Sequence, residues 1–386
     1  MELPWFQYIY KKALIHSFIL VTFLFTLLIE IIDVGGSLMP IKKKVTLHDI
    51  ASELNLTIHT VSKSLRGLPG MSEETRRAVL EAARRLGYRT KEQERGFAVE
   101  QIPIFSANPR VFKFIINGNI SKLHQLILQG LQEKLQEFGH TVQTLIAPES
   151  DEAGVIEEWL EQQNVAYWNG VFIPPAIKPG LERLLLSLKI PRVMINFPMP
   201  AEKVDSVIWD VGTAIWQSVR YLASMKHSRI LYIGDTVRHR GFSIRWRAFK
   251  EAMEEAGQNV NSEDHVTGAI SDKEQWIAEV VEKLKRTKPT AILCAVQYDL
   301  AWIYYACSLA ERSIPGDCSL ISLEDDRNEL LPGLTRPFLV VREAGARAAE
   351  RMLWRLANPS KPYEHTFVQG AFYTGNTVLP LKHFEG

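Results

Sequence analysis

From Val111 to the end of the chain, short apolar runs alternate with stretches that read as helix. The runs are VFKFIING, VQTLIA, GVFIPP, RVMINF, ILYIGD, AILCAV and SLISLE, each rich in β-branched or aromatic residues and bounded by turns. Between the first two lies SKLHQLILQGLQEKLQEFG, where Leu123, Ile127, Leu131, Leu135 and Phe138 keep to one face at helical spacing. Successive parallel strands need a long crossover, usually a helix, so this alternation implies parallel sheets with helices on both sides. Seven or more such units in about 270 residues suit two linked, doubly wound α/β subdomains.

The N-terminal part obeys a different period. In Val45–Tyr88, VTLHDIASELNLTIHTVSKSLRGLPGMSEETRRAVLEAARRLGY, the spacing predicts three helices. Thr46 caps the first, with Asp49 three residues on, and Leu47, Ile50, Ala51 and Leu54 form its buried face. Asn55, which tolerates the left-handed conformation, falls at the sharp turn. Thr57 caps a second helix buried along Val61 and Leu65. Gly67-Leu68-Pro69-Gly70 is a loop, and Ser72 caps a third helix with Val79, Leu80, Ala83 and Leu86 as its core stripe. Two short helices joined by a tight turn, with a packing helix, make a helix-turn-helix; the competing reading is a small structural bundle.

Charge separates the same region. The chain has 386 residues and a net charge of +1, yet Lys42–Lys91 holds eleven Lys/Arg against five acids. A compact basic module suits nucleic acid, although a solvated helical surface would show the same excess. If the second helix enters a major groove N-terminus first, Ile58, His59 and Lys63 are the base readers. Lys63 donates to guanine and Ile58 meets a thymine methyl, while Thr46, Thr57, Thr60, Ser62, Ser72 and Thr75 serve as short donors to phosphate.

Residues 13–32, ALIHSFILVTFLFTLLIEII, are long and apolar enough to span a bilayer behind Lys11 and Lys12, although His16 and Glu30 weaken the span. The preferred alternative is translation from Met39, with 1–38 an apolar N-terminal extension. Membrane attachment is then not expected, and the protein is read as cytoplasmic. Cys294, Cys307 and Cys318 fit neither a zinc site nor a disulfide framework and read as small core residues. The ten histidines form no H-E-x-x-H, and G-x-S-x-G, the P-loop and G-x-G-x-x-G are absent, so no catalytic residue, metal or cofactor is expected. Glu324-Asp325-Asp326 reads as a strand-end acidic group rather than a metal site.

Residues 45–88 resemble, without a gap, the head of the lactose-repressor/galactose-repressor (LacI/GalR-type) family of bacterial transcription regulators. That family's pattern runs V-T-[IL]-x-D-[VI]-A, then T-V-S-[RK]-x-L-N, then S-x-x-T-R-x-x-V and L-G-Y. Asn55 replaces the turn glycine and Arg66 the usual Asn. WNGVFIPP, IPRVMINFP, GLTRP and EAGARAAERMLWRL resemble the family's periplasmic-binding-protein-like sensor. The resemblance implies a helix-turn-helix head (42–90), a hinge (91–110) and an effector-binding and dimerisation domain (111–386). It divides the last into a subdomain of about 111–209 and 338–362 and another of about 210–337 and 363–386.

It also implies a homodimeric regulator, read as a repressor, that binds double-stranded operator DNA under control of a small-molecule effector, a sugar or related metabolite. Phe97 falls at the hinge position that wedges into the minor groove, but Glu94 replaces an Ala there and repels phosphate, which weighs against kinking. The effector positions map to Arg245, Asn196, Asp210, Gln297, Trp209 and Phe242, the two aromatics either stacking on a sugar ring or serving as core. Asn196 stands where an Asp is common, and Val296-Gln297 stand where Asn-Asp is usual. The pocket is therefore expected to be less acidic than a typical sugar site, and the effector other than a simple neutral sugar.

Overall fold

The computed structural model describes residues 45–66, 68, 70–91, 94, 108–269, 272–295, 300–323 and 333–381. The chain divides into two compact units, 1–90 and 91–386.

In the first unit, helices α1 (Leu47–Glu53), α2 (Ile58–Leu65) and α3 (Glu73–Leu86) enclose Ile50, Ala51, Val61, Val79, Ala82 and Ala83. Local chemistry sets every boundary. Thr46 and Asp49 form a reciprocal capping box: the Thr46 N–H donates to the Asp49 carboxylate at 2.7 Å while the Asp49 N–H donates to the Thr46 hydroxyl. Asn55 takes φ 51° at the turn. Thr57 and Ser72 cap α2 and α3, and Gly87 closes α3 at φ 74°. Leu80, expected in the core stripe, is 37% exposed; Val79, Ala82, Ala83 and Leu86 form the inner face at i, i+3, i+4, i+7, and Leu80 lies about 100° round the helix from Val79.

The second unit holds two parallel sheets. The first contains β1 (Val111–Asn117), β2 (Thr141–Ala147), β3 (Val171–Ile173), β4 (Arg192–Met194), β5 (Asp205–Trp209) and β10 (His365–Val368), in the order β10-β5-β4-β3-β1-β2, every pair parallel. Its helices are α4 (Lys122–Glu137), α5 (Ala153–Gln162), α6 (Pro179–Ser187) and, from much later in the chain, α11 (Val341–Ala357). The second sheet, β6 (Ile230–Ile233), β7 (Ala291–Cys294) and β8 (Ser319–Ser322), is also parallel. It carries α7 (Val211–Ser224), α8 (Arg240–Glu255), α9 (Lys273–Thr287) and α10 (Leu300–Leu309). A short antiparallel pair, β9 (Arg336–Pro337) with β11 (Phe372–Tyr373), lies beside the second sheet.

Four strands escaped the sequence reading: β5, β10 and the two-residue β9 and β11. The expected assignment of 363–386 to the second subdomain is corrected for 365–368 alone, since β10 pairs in register with β5, His365 opposite Ser206, while Phe372–Tyr373 and Thr377 lie beside the second sheet. A buried ion pair fixes this edge: Arg355 Nε donates to Asp205 Oδ2 at 2.6 Å, and the Glu364 N–H donates to Oδ1 at 3.1 Å. The three cysteines are buried and none forms a disulfide, as read. Helices α4 and α11 meet at glycines. A Cβ on Gly130 would overlap Arg342 O and one on Gly345 would overlap Ile127 O, so only glycine allows these axes to approach so closely.

Candidate DNA interface and ligand cleft

On the first unit, Ile58 is 47% exposed and His59 is exposed, both at the capped start of α2. An exposed Ile at a helix start does nothing for the fold of this unit. Lys63, half-buried, lies one turn on with Nζ against Gly70, where an added Cβ would sit 2.8 Å from it. The following loop is tied down by Arg76, whose Nη2 donates to Leu68 O at 2.9 Å.

The hydroxyls expected to serve phosphates are mostly occupied locally. Thr57 Oγ1 accepts from the Thr60 N–H at 3.1 Å and lies 2.9 Å from Thr60 Oγ1; Ser72 and Thr75 repeat the arrangement at 3.1 and 2.8 Å. Thr46 Oγ1 donates to Asp49. Each therefore shapes a helix N-terminus, whose remaining N–H groups and positive dipole end suit a phosphate. Phe97 lies outside the described residues.

In the second unit a cavity of about 300 Å³ opens between the two sheets at their strand ends, the position expected of a ligand in linked α/β subdomains. Four of the six predicted effector residues line it: Asn196 just past β4, Trp209 at the end of β5, and Phe242 and Arg245 on α8. Gln297 lies outside the described residues. Asp210 does not line the cavity. It caps α7 instead, with Oδ1 accepting the Thr213 N–H at 2.9 Å and Oδ2 accepting the Thr213 hydroxyl at 2.6 Å. A short polar residue at a strand-to-helix junction caps the helix by accepting an orphan N–H, here with the Thr213 hydroxyl as well.

Arg245 is only 7% exposed. Its Nη1 donates to Ala295 O at 2.6 Å, its Nε has no hydrogen-bond partner, and its Cζ lies 5.2 Å from the Phe242 ring centroid. Burial pushes the guanidinium down to about 10, still protonated at neutral pH. Among the described residues no carboxylate pairs with it.

The wall also contains residues the sequence reading missed. Asp235, past the end of β6, is buried; its Oδ1 accepts the Val237 and Arg238 N–H groups at 2.8 and 3.0 Å, and its Oδ2 pairs with Arg238 Nε at 2.9 Å. It ends the run ILYIGD, so a strand-end acid was visible as a signal. His239 lines the cavity, and burial lowers its pKa, so the ring is neutral at pH 7. Beyond the cavity wall, the lobes are joined by Arg240 at the start of α8 and Glu182 on α6, a bidentate pair at 2.8 and 2.7 Å.

Among the described residues no cluster of His, Cys, Asp or Glu could hold a metal, and no helix is long and apolar enough to cross a membrane.

Residues 46–91 match the model for bacterial regulatory proteins of the lacI family, and 219–378 match a periplasmic binding protein-like domain. The chain is 32% identical over 330 residues to the HTH-type transcriptional regulator AglR of Rhizobium meliloti (strain 1021), covering 81% of this chain and 88% of that one. Catabolite control protein A of Priestia megaterium is 24% identical over 327 residues, covering 81% and 93%. Among solved structures, a CelR–cellobiose complex superposes with a TM-score of 0.60 at 18% identity, over 86% of this chain and 99% of that one. The lac repressor dimer bound to operator and the anti-inducer ONPF also gives 0.60, at 15% identity, over 87% and 100%. A basic helix-turn-helix ahead of two cleft-forming α/β lobes, matched over most of its length by such regulators, places this chain in the lacI family of bacterial regulatory proteins, as a DNA-binding transcription regulator and not an enzyme.

Proposed function

We propose that this regulator is a cytoplasmic, homodimeric repressor that reads a near-palindromic operator with two copies of α2, and that a small molecule held between the sensor lobes changes its grip on DNA. The observation that carries the reading is the exposed Ile58–His59 edge at the capped start of α2, on a unit whose own core makes no use of it. Ile58, His59 and Lys63 discriminate bases, and the N-termini capped by Thr46, Thr57 and Ser72 hold phosphates. Two-fold symmetry of the protein would match the symmetry of the site.

The cleft supports the regulatory half. In the CelR complex the ligand is cellobiose; here Asn196, Trp209, Phe242 and Arg245 surround a cavity of comparable purpose. A ligand touching both lobes favours whichever arrangement it fits, and only its differential affinity for the two arrangements can move the head. The Arg240–Glu182 pair, which joins the lobes, is one contact that a change of arrangement would alter.

The test is binding of the full chain to fragments from its own upstream region against scrambled fragments, over a salt series. Tight, sequence-dependent binding that weakens steeply with salt and disappears in the His59→Ala, Lys63→Ala double variant supports the reading. Equal, weak binding to every fragment refutes it. Sedimentation of the same protein should report a dimer.

A further inference from the structure

Among the described residues the cleft wall is richer in donors than in acceptors. Asn196 spends its Oδ1 on the Phe197 N–H at 2.8 Å, leaving the NH2 group, a double donor, for a ligand. Asp235 is the only carboxylate among the described lining residues; its Oδ1 accepts two backbone N–H groups, and its Oδ2, which has no hydrogen-bond partner, is ion-paired with Arg238. Among the described residues Arg245 is a buried cation without a carboxylate partner, its Nε unsatisfied. An ion buried without a partner costs several kcal/mol, and a ligand anion removes that cost only while bound.

Neutral sugars make the opposite demand. Each hydroxyl brings a proton as well as lone pairs, and a site that recognises it supplies acceptors. Among the described residues this wall offers few acceptors, Asp235 Oδ2 and the His239 ring, against the donors of Asn196 and Arg245, whereas a carboxylate or phosphate accepts only. The Phe242 ring packs against the Arg245 guanidinium, which steadies its fork for bidentate contact with two anion oxygens. The flat apolar faces of Phe242 and Trp209 suit the C–H face of a sugar ring.

Building on the cleft reading above, we propose that the ligand is a small hydroxylated anion, a sugar acid or a sugar phosphate, whose charged group rests on Arg245.

The experiment is calorimetric titration of the full chain with matched pairs: glucuronate against glucose, galacturonate against galactose, and glucose 6-phosphate against glucose. The expected result is one anion binding at least about tenfold more tightly than its neutral counterpart, with the preference shrinking as salt is raised. The carboxylate and phosphate arms decide which group is read. Arg245→Gln should bring the two affinities of the pair together, and Arg245→Lys should restore part of the difference by keeping the charge without the fork.

A neutral sugar that binds as tightly as its acid and also releases operator leaves the cleft reading standing and overturns the anion. So does a preference that survives Arg245→Gln in a protein with an unchanged melting profile. If that variant does not fold, an anion preference in the wild type that is insensitive to salt overturns it equally. Failure of every pair to bind ends the assignment and passes the cleft to ligands of other chemistry.

Discussion

The 45–88 unit rests on six buried apolar side chains and a set of end caps, whereas the sensor unit buries continuous aromatic and aliphatic clusters through both of its lobes. In the small unit the elements are set locally: caps act over three residues, and Asn55 and Gly87 supply the positive φ that turns the backbone, while the ion pair of Arg85 with Glu53 spans 32 residues. In the sensor the decisive contacts join residues well over a hundred positions apart, such as Asp205 with Arg355 and Glu133 with Arg342. A small core leaves little stability in reserve, so the head should fail by loss of single methylene groups or caps. The sensor should fail where a buried charge loses its partner.

The largest effect is expected at Asp205. Its carboxylate is fully buried and accepts from Arg355 Nε, Arg355 Nη2 and the Glu364 N–H. Asp205→Ala leaves the buried Arg355 guanidinium with backbone carbonyls but no carboxylate and removes the acceptor of the Glu364 N–H at the start of β10, at about 3–5 kcal/mol. Calorimetry should show the sensor transition moving down by many degrees with the head's helical signal unchanged at low temperature. Loss of both together would mean that the two units do not divide stability as described.

Next in size is Ile50→Ala. Ile50 is fully buried among Ala51, Val61, Val79, Ala82 and Ala83. Removing its methylenes costs roughly 2–4 kcal/mol, a large share of what six side chains provide. The head should lose helical circular dichroism and operator binding while the sensor's near-ultraviolet signal and melting transition stay in place.

The same contrast explains what could be read from the chain. Caps, the Asn55 turn and the Ile50/Val61/Val79 core follow from spacings of three and four, so the head was legible almost to the residue. Leu80 was misplaced because Val79 and Leu80 are adjacent and equally apolar; only the packing of α3 decides which faces in. In the sensor, β5 and β10 were missed for different reasons. DSVIW runs into α7 without a turn, and HTFV is half exposed at a sheet edge, so neither looks like a bounded buried run. In the cleft, Asn196, Trp209, Phe242 and Arg245 came from resemblance and do line the cavity. Asp210 caps α7 and is not among the lining residues, and an acid beside a cleft and an acid capping a helix have the same sequence. Arg238 and His239 belong to the wall through folding at a distance, which no local period reports.

A pH series sharpens the comparison at intermediate size. His265 is buried in the sensor, its Nδ1 accepts the Tyr232 N–H at 3.0 Å, and burial among Trp246 and Phe249 lowers its pKa to about 4. The unfolded chain takes up this proton near pH 6.5 and the folded chain only near 4, so the unfolded state binds more protons in between. Stability is complete above pH 6.5 and falls as pH drops toward 4, by about 1.4 kcal/mol per unit where the difference is fullest. His124, His140 and His227, also lowered by burial in the sensor, share the sign. The sensor's melting temperature should therefore decline across that window, and His265→Asn, which keeps an acceptor but no titrating ring, should flatten part of the slope. A wild-type sensor whose melting temperature is level from pH 6.5 to 4.5 would contradict this account.

The smallest effect separates the head's stability from its recognition of DNA. Ser72 Oγ accepts the Thr75 N–H at 3.1 Å at an exposed helix start, so water can replace it, and Ser72→Ala should cost only about 1 kcal/mol. Ser72→Asp keeps the cap and adds a negative charge where the helix dipole welcomes one, so the head's thermal midpoint should return to the wild-type value or above. The same charge stands where an incoming phosphate would lie, and there it repels. Operator affinity should thus fall further in Ser72→Asp than in Ser72→Ala, while stability runs in the reverse order. A helix end that serves folding alone would move the two measurements together; one that also holds a phosphate must drive them apart.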